Sequence, residues 1–257
     1  MPFNSIDSSF RRRVLDGDTV LGLFLDLASP TSAELCGRAG YDWLLIDLEH
    51  GSGTEADLPA MLMAIESTGA AAMVRPQSGE RLRIGRALDQ GATGIMIPRM
   101  QSAAEVAEAV TFLRYPPAGV RGVALRTRGA GLGTVGHADV GQISDRIVGI
   151  VQIESAGALQ EADAIAAIDG VDVLFVGPAD LSHSLGVPGQ FESKPYLNAI
   201  ERVVDACRAH GKSPGILLYD LAIIPRYLES GFRFVGIGAD AALVSNGAHA
   251  AIAAVRG

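Results

Sequence analysis

The sequence predicts an α/β protein of the TIM-type (β/α)8 barrel class. Eight short apolar runs rich in β-branched residues recur along the chain, and Ala-rich stretches typical of helices separate them. Continuous rather than alternating hydrophobicity indicates strands that are buried on both faces of a parallel sheet. The length of 257 residues suits one barrel domain over residues 1–257, because barrels of about 200–250 residues often form a single domain. A doubly wound open sheet is the alternative.

The predicted elements follow in chain order. The strands are Val20–Asp26, Trp43–Leu48, Ala72–Arg75, Gly94–Pro98, Val148–Glu154, Val173–Gly177, Gly215–Tyr219 and Phe234–Gly238. Ser102 and Glu105, three residues apart before an apolar stretch, have the spacing of a capping box at the start of a helix. Pro195 opens another helix and Gly211 closes it, as expected from the preference for proline at the start and glycine past the end.

The stretch from Pro116 to Asp145 interrupts this alternation. Loops longer than about 15 residues are usually functional or disordered, and we interpret this one as a functional loop. Its segment Gly131–Gly136 has the spacing GxGxxG, but it follows no strand and opens no apolar helix. This context argues against a dinucleotide-binding loop.

Composition excludes several classes of function. The net charge of -8 argues against a nucleic-acid partner, because phosphate contacts need clustered Lys and Arg. No apolar run approaches the roughly 20 residues of a membrane helix, and the N-terminus lacks the apolar core of a signal peptide. Cys36 and Cys207 lie far apart, so neither a disulfide framework nor a zinc knuckle is indicated. We therefore expect a cytoplasmic protein without a membrane partner.

Polar residues accumulate where the predicted strands end. In a barrel, the carboxyl ends of all strands meet on one face, and active sites are built there. A solvated loop charge is the simpler interpretation for any one of these residues, whereas an active site explains the whole set better. The set is Asp47, Glu49, His50, Arg75, Pro98, Arg99, Gln152, Glu154, Asp180, Tyr219 and Asp220.

Five of these residues are candidates for specific chemical roles. Glu154 and Asp180 follow neighbouring strands and suit a hard cation such as Mg²⁺ or Mn²⁺, although a surface carboxylate and a helix N-cap would look the same. His50 is the candidate base, with Asp47 as its local partner, and a structural histidine is the alternative. Arg75 ends a strand and predicts a bound anion or a structural ion pair.

Six segments together resemble the HpcH/HpaI family of metal-dependent (class II) pyruvate aldolases. That family includes hydroxy-oxo-diacid and 2-dehydro-3-deoxy-sugar-acid aldolases. The match covers nearly the whole chain in order. The segments are Asp42–Gly51 (DWLLIDLEHG), Val74–Pro76 (VRP), Leu88–Ala92 (LDQGA), Arg114–Val123 (RYPPAGVRGV), Val151–Glu154 (VQIE) and Phe175–Leu181 (FVGPADL).

The resemblance implies a phosphoenolpyruvate/pyruvate-type barrel that assembles as a homo-hexamer, a dimer of trimers, with active sites at subunit interfaces. It makes Glu154 and Asp180 the ligands of a divalent cation, which is Mg²⁺, Mn²⁺ or Co²⁺, with Zn²⁺ as a further possibility. Gln152 and the backbone N–H groups of Ala179 and Asp180 would hold the pyruvyl group. Arg75 would stabilise the enolate oxygen.

The resemblance also implies roles on the proton-transfer and aldehyde sides. His50 would move the proton. The acid that raises the basicity of this histidine corresponds to Asp89, supplied across a subunit interface, ahead of Asp47. Leu217 would line the side that accepts the aldehyde, and Arg128 matches a loop arginine that would bind it.

Three departures from the family pattern concern the aldehyde side. Phe24 stands where several relatives carry Trp, Gly129–Gly136 is unusually rich in glycine, and Tyr219 and Asp220 follow the seventh strand. The sequence therefore leaves the identity of the aldehyde open.

The implied activity is that of a carbon–carbon lyase. A 4-hydroxy-2-oxo acid would be cleaved reversibly to pyruvate, or hydroxypyruvate, and an aldehyde, through an enolate that the metal stabilises. A Schiff-base mechanism needs a lysine at the catalytic face, but Lys212 precedes its strand and Lys194 lies in a loop that leads into a helix. One alternative is a CoA-ester lyase of the citryl/malyl type, which needs a basic patch for the CoA phosphates. Another is a non-catalytic metal-binding barrel.

Overall fold

A computed structural model, which describes residues 8–256, contains a closed barrel of eight parallel strands. Each strand pairs with its neighbour in sequence, and β8 pairs with β1 to close the ring. Closure excludes the open-sheet alternative and confirms the predicted TIM-type barrel. The strands are β1 Val20–Leu25, β2 Trp43–Asp47, β3 Ala71–Arg75, β4 Gly94–Ile97, β5 Val148–Ile153, β6 Val173–Val176, β7 Ser213–Leu218 and β8 Phe234–Ala239.

Helices surround most of the barrel, but the C-terminal helix Asp240–Arg256 is exposed along nearly its whole length and has only Asp240 buried. None of those found in residues 8–256 has both the length and the apolar composition to cross a bilayer. Two 3₁₀ segments, Arg128–Gly133 and Leu221–Ile223, accompany them. The α-helices are α1 Ser8–Leu15, α2 Pro30–Arg38, α3 Leu58–Glu66, α4 Arg81–Asp89, α5 Ala103–Thr111, α6 Val140–Ser144, α7 Ala156–Gln160, α8 Ala162–Ala166, α9 Pro178–Ser184, α10 Lys194–His210, α11 Ile224–Glu229 and α12 Asp240–Arg256.

The predicted helix signals lie at helix ends. The Ser102 hydroxyl accepts a hydrogen bond from the Glu105 N–H at 3.3 Å, which caps α5. The Glu105 carboxylate in turn accepts from the N–H of Gln101 at 2.9 Å. Gly211 follows α10 with a φ of 63°, a left-handed conformation that glycine adopts without the steric penalty of a side chain. Both of these predicted helices are confirmed.

The long stretch after α5 is mostly exposed and is anchored by a few buried residues. It contains the 3₁₀ segment Arg128–Gly133 and the short helix α6. Tyr115, Ala130 and Ile143 form a small buried cluster of their own beneath it. Its predicted functional role stays a prediction.

Aromatic rings fill the barrel interior. Trp43 is fully buried and stacks on Phe234 with 4.4 Å between ring centroids, while Phe24 and Phe175 approach edge-on or tilted. At the amino ends of the strands, Phe10 and Val14 of α1 join the same cluster. The N-terminal mouth is therefore closed by α1, and the open face lies at the carboxyl ends of the strands.

Gly22 on β1 gives a test of this interior packing. A Cβ at this position would lie 1.9 Å from the Trp43 ring, so Gly22→Ala should force the ring to move and lower the free energy of unfolding by about 3 kcal/mol. Gly85, inside α4, has no neighbour within 4 Å of an added Cβ, and Gly85→Ala should stabilise the helix by up to about 1 kcal/mol. Urea unfolding of both variants checks the contrast, and equal midpoints would contradict it.

Candidate active site

A cavity of about 460 Å³ opens at the carboxyl ends of the strands. Residues at or just past the carboxyl ends of β1, β2, β3, β5, β6 and β7 contribute to its wall, as the barrel topology predicts. Most of the polar residues predicted from the strand ends are brought together here. The polar members of the wall are Asp26, Asp47, His50, Arg75, Gln152, Glu154, Asp180, Tyr219 and Asp220.

A bidentate ion pair between Arg75 and Asp47 forms the base of the cavity. Arg75 Nε and Nη2 donate to the two carboxylate oxygens of Asp47 at 2.9 and 2.6 Å. The two residues are register partners at the ends of β2 and β3, and both side chains are at most 10% exposed. Burial opposes ionisation of Asp47, but the hydrogen bonds and charge of Arg75, together with two backbone N–H groups, hold the pKa of its carboxyl below the ordinary value.

Arg75 also connects Asp47 to the other side of the cavity. Its Nη1 donates to Gln152 Oε1 at 3.4 Å and lies 3.4 Å from a carboxylate oxygen of Glu49. The guanidinium carbon lies 5.3 Å from the centre of the Phe24 ring, a cation–π contact. One cation is therefore held by two acids, an amide and an aromatic face, which fixes its position.

Glu154 is the acid on that opposite side. Its Oε1 accepts from the Arg99 N–H at 2.7 Å, and its Oε2 accepts from Gln152 Nε2 at 2.9 Å. Arg99 has a φ of 60°, and this left-handed turn is unusual for a residue with a side chain. Burial and the negative charges of Glu49 and Asp180 raise the pKa of Glu154, and these effects outweigh the Arg99 N–H and the Arg75 charge.

Asp180 lies in the first turn of α9, directly after β6. Gly177 precedes this helix, and a Cβ there would lie 2.8 Å from Glu154 Oε2, so a side chain at this position would displace the Glu154 carboxylate. Ala179 and Asp180 are exposed and line the cavity with Glu154. Residues 8–256 hold no group of three or more His, Cys, Asp or Glu side chains arranged for a metal ion, so the predicted pair stands as two carboxylates.

His50 lies at the rim of the cavity, with a side chain that is 63% exposed. Its Nε2 is 3.8 Å from a carboxylate oxygen of Glu49. Asp47 was the expected local partner of the ring, but its contact is with the backbone: Asp47 Oδ1 accepts from the N–H groups of Glu49 and His50 at 3.0 and 3.3 Å. Asp47 therefore positions Arg75 and the chain at residue 50, and Glu49 is the acid nearest to the imidazole.

Asp89 and Arg128 are not part of the cavity wall of their own chain. Asp89, at the end of α4, accepts from Arg121 Nη2 at 3.1 Å, and the Arg121 guanidinium packs over the Tyr115 ring. Arg128 pairs with Glu66 and lines a separate cavity of about 320 Å³. Within one chain, these two predicted site residues therefore do not line the cavity with His50.

Three residues of the site had no role assigned from the sequence or only a marginal one. Glu49 contacts both Arg75 and His50, Asp26 lines the cavity beyond Phe24, and Tyr219 borders it near Asp26. All three could have been identified from the sequence, because each lies at or just past the carboxyl end of a predicted strand, where the active site of a barrel is built. Leu217, predicted for the aldehyde side, does line the cavity.

The sequence profile of the HpcH/HpaI aldolase/citrate lyase family matches residues 20–247. The chain belongs to this family. A 4-hydroxy-2-oxo-heptane-1,7-dioate aldolase of Salmonella dublin is 39% identical to it over 95% of this chain and 92% of that protein. A 2-keto-3-deoxy-L-rhamnonate aldolase of Klebsiella pneumoniae is 38% identical over 93% and 89% of the two chains.

A solved structure agrees with the same assignment. The HpcH/HpaI aldolase/citrate lyase family protein of Burkholderia cenocepacia superposes with a TM-score of 0.92 and 36% identity, over 97% of this chain and all of that one. With aldolases as its relatives over almost its full length, this member of the family is an enzyme, a carbon–carbon lyase of the aldolase type. The alternative of a non-catalytic barrel is thereby excluded.

The Asp47–Arg75 pair predicts a pH-dependent stability. Asp47→Asn leaves a buried guanidinium without its main counter-charge and should lower the free energy of unfolding by about 3 kcal/mol at pH 7. Because the folded pKa of Asp47 is lowered, this contribution is complete above about pH 4 and is lost as the pH falls through the folded value.

Urea unfolding of the wild type and the variant at pH 7 and near pH 3 measures this difference. It should shrink at the lower pH, and a constant difference would refute the assignment. Asp205→Asn, which removes an exposed ion pair with Arg208, is the control and should change little at either pH.

Proposed function

We propose that the enzyme catalyses the reversible aldol cleavage of 4-hydroxy-2-oxo acids to pyruvate, or hydroxypyruvate, and an aldehyde, with the help of a divalent cation. The observation that carries the proposal is the fixed row Asp47–Arg75–Gln152–Glu154, which ends beside Asp180 in one cavity. The positive charge of Arg75 can stabilise negative charge on a 2-oxo acid and its enolate. The two carboxylates beside it can hold the divalent cation. The names of the two aldolase relatives agree with this substrate class.

The residues present fit a divalent cation. Glu154 and Asp180 offer carboxylate oxygens, and the raised pKa of Glu154 reflects its burial beside other negative charges with too little positive charge near it. Hard cations prefer such oxygen ligands and complete their coordination with water or substrate. Mg²⁺, Mn²⁺ and Co²⁺ are the first choices, and Zn²⁺ is a further one. Bound there, the cation would act as a Lewis acid that stabilises the negative charge of the enolate.

Arg75 supplies the second positive charge at the reacting centre. Its guanidinium is fixed by Asp47, so it need not reorganise when negative charge develops on the substrate oxygen. Gln152 accepts from Arg75 and donates to Glu154, which keeps these two groups at a constant separation. Leu217 would line the side that receives the aldehyde.

His50 would carry the proton between solvent and substrate. Its ring is exposed at the rim of the cavity, and an imidazole can gain and lose a proton near neutral pH. We propose that the enzyme is a homo-hexamer, a dimer of trimers, in which Asp89 and Arg128 of a neighbouring subunit reach this rim. Glu49 is the acid nearest to the ring within one chain.

The cavity favours this chemistry over two rival mechanisms. Lys194 and Lys212 are the only lysines of the chain, and neither lines the cavity, so no amine stands ready to form an imine with pyruvate. A CoA-ester lyase would need cations for the CoA phosphates. The basic side chains of the wall are only Arg75 and His50, of which Arg75 is engaged by Asp47.

Metal removal tests the cation. Treatment with EDTA should abolish pyruvate-forming cleavage of a 4-hydroxy-2-oxo acid, and Mg²⁺, Mn²⁺ or Co²⁺ added in excess should restore it. Borohydride added with pyruvate should leave the mass of the intact protein unchanged. A covalent pyruvate adduct, or full activity in EDTA, would refute the metal-dependent mechanism.

Exchange of deuterium into the methyl group of pyruvate tests the role of His50 without an aldehyde. His50→Ala should slow the metal-dependent exchange by about 100-fold, the usual contribution of a positioned acid–base group. His249→Ala, on the exposed face of α12, is the matched control and should exchange at the wild-type rate. NMR follows the loss of the methyl signal, and unchanged exchange in His50→Ala would rule out this role.

A further inference from the structure

The two aldolase relatives differ in the part of the substrate that becomes the aldehyde. One is named for a heptane-1,7-dioate, which carries a carboxylate at that end, and the other for a deoxy-sugar acid, which carries hydroxyl groups there. Identities of 39% and 38% do not choose between these two classes. The side chains that line the cavity near Phe24 and Leu217 distinguish between them.

Asp26 is the charged residue of that wall. It follows β1 two residues after Phe24, so its side chain lies on the same face of the strand, above the aromatic interior. Its backbone N–H donates to Asp240 Oδ1 at 2.8 Å. Asp240 is 2% exposed and also accepts from the Ser32 hydroxyl at 2.7 Å. The position of Asp26 is thus set by a buried contact that does not involve its carboxylate.

The Asp26 carboxylate has no hydrogen-bond or ion-pair partner in the part of the chain that the structure describes, residues 8–256. Three other carboxylates of the same wall are engaged: Asp47 by Arg75, Glu154 by Arg99 and Gln152, and Asp220 by the N–H of Ala222 at 2.9 Å. Asp180, which likewise has no side-chain partner within residues 8–256, is the candidate cation ligand beside Glu154. The oxygens of Asp26 remain open to the cavity, so a ligand that brings a donor can replace water as the partner of this acceptor.

The electrostatics around Asp26 point to an uncharged ligand. Burial and the negative charges of Asp47 and Asp240 raise the pKa of Asp26 against the weaker pull of Arg75 and His50. A second carboxylate placed here would add to this repulsion. A hydroxyl group would instead donate a charge-assisted hydrogen bond to Asp26.

The rest of the wall suits a short hydroxylated carbon chain. Leu217 and Ile223 give apolar contact for its carbons. The Tyr219 hydroxyl supplies a second polar group, and this residue is close enough to Asp26 for the carboxylate charge to raise the pKa of the phenol, after the larger effect of burial.

We propose that Asp26 is a specificity-determining residue that selects hydroxyaldehydes over carboxylated aldehydes as the partner of pyruvate. This inference rests on the proposed aldolase function. It assigns the enzyme to substrates of the deoxy-sugar-acid class and away from dioates.

The test measures kcat/KM for aldol addition of pyruvate to three aldehydes. D-Glyceraldehyde and propionaldehyde have the same length with and without hydroxyl groups, and succinic semialdehyde carries a carboxylate. The wild type should prefer D-glyceraldehyde to both others. Asp26→Asn and Asp26→Gly should lower the ratio of D-glyceraldehyde to succinic semialdehyde by about tenfold or more, since both the attraction and the repulsion are lost.

Asp205→Asn is the matched control, because it removes one negative charge at an exposed carboxylate that does not line this cavity. It should leave the ratio within about twofold of the wild type. Pyruvate deuterium exchange, which needs no aldehyde, should proceed at the wild-type rate in both Asp26 variants and shows that they are folded and competent.

The outcomes separate the two proposals. Exchange at the wild-type rate with an unchanged aldehyde ratio in the Asp26 variants overturns the role of Asp26 and leaves the aldolase proposal intact. A wild-type preference for succinic semialdehyde would likewise overturn the role of Asp26 and leave the aldolase proposal intact. Absence of exchange and of aldol addition in the metal-loaded wild type overturns both.

Discussion

The ion pair between Asp47 and Arg75 is the constraint on which the site depends. Taking two charges out of water is costly, and two short hydrogen bonds with further polar contacts are needed to offset that cost. The barrel provides this geometry because the two residues are register partners on adjacent parallel strands, so the backbone already places them side by side. Arg75 can then hold Gln152, and Gln152 can hold Glu154, across the full width of the opening.

An excess of negative charge is the second property of the opening, and it has different consequences on its two sides. Near Glu154, the neighbouring acids Glu49 and Asp180 make the site favourable for a cation with oxygen ligands. Near Asp26, apolar side chains such as Leu217 and Ile223 make up much of the wall, and the proposed ligand of this carboxylate is a neutral hydrogen-bond donor. In the proposed function, the first side would hold the 2-oxo acid and the second side its aldehyde partner.

The barrel could be predicted from the sequence because hydrophobic continuity marks each strand directly, and the predicted bounds differ from those observed by two residues at most. The gathering of polar residues followed from topology alone. Which of these residues pair with one another could not be predicted from topology. Closeness in sequence favours Asp47 as the partner of His50, whereas strand register places Asp47 beside Arg75. The proposed approach of Asp89 and Arg128 to His50 requires contacts between subunits, which no periodicity within one chain encodes.

The aromatic cluster inside the barrel gives the protein an optical reporter. Trp43 is the only tryptophan of the chain, so the intrinsic indole fluorescence has a single source at the centre of the fold. Phe24 lies between this indole and the guanidinium of Arg75, with an edge contact to the first and a cation–π contact to the second. One aromatic ring thus separates the Trp43 indole from Arg75 in the cavity. Its fluorescence can therefore report both unfolding of the core and ligand binding in the cavity, without an added label.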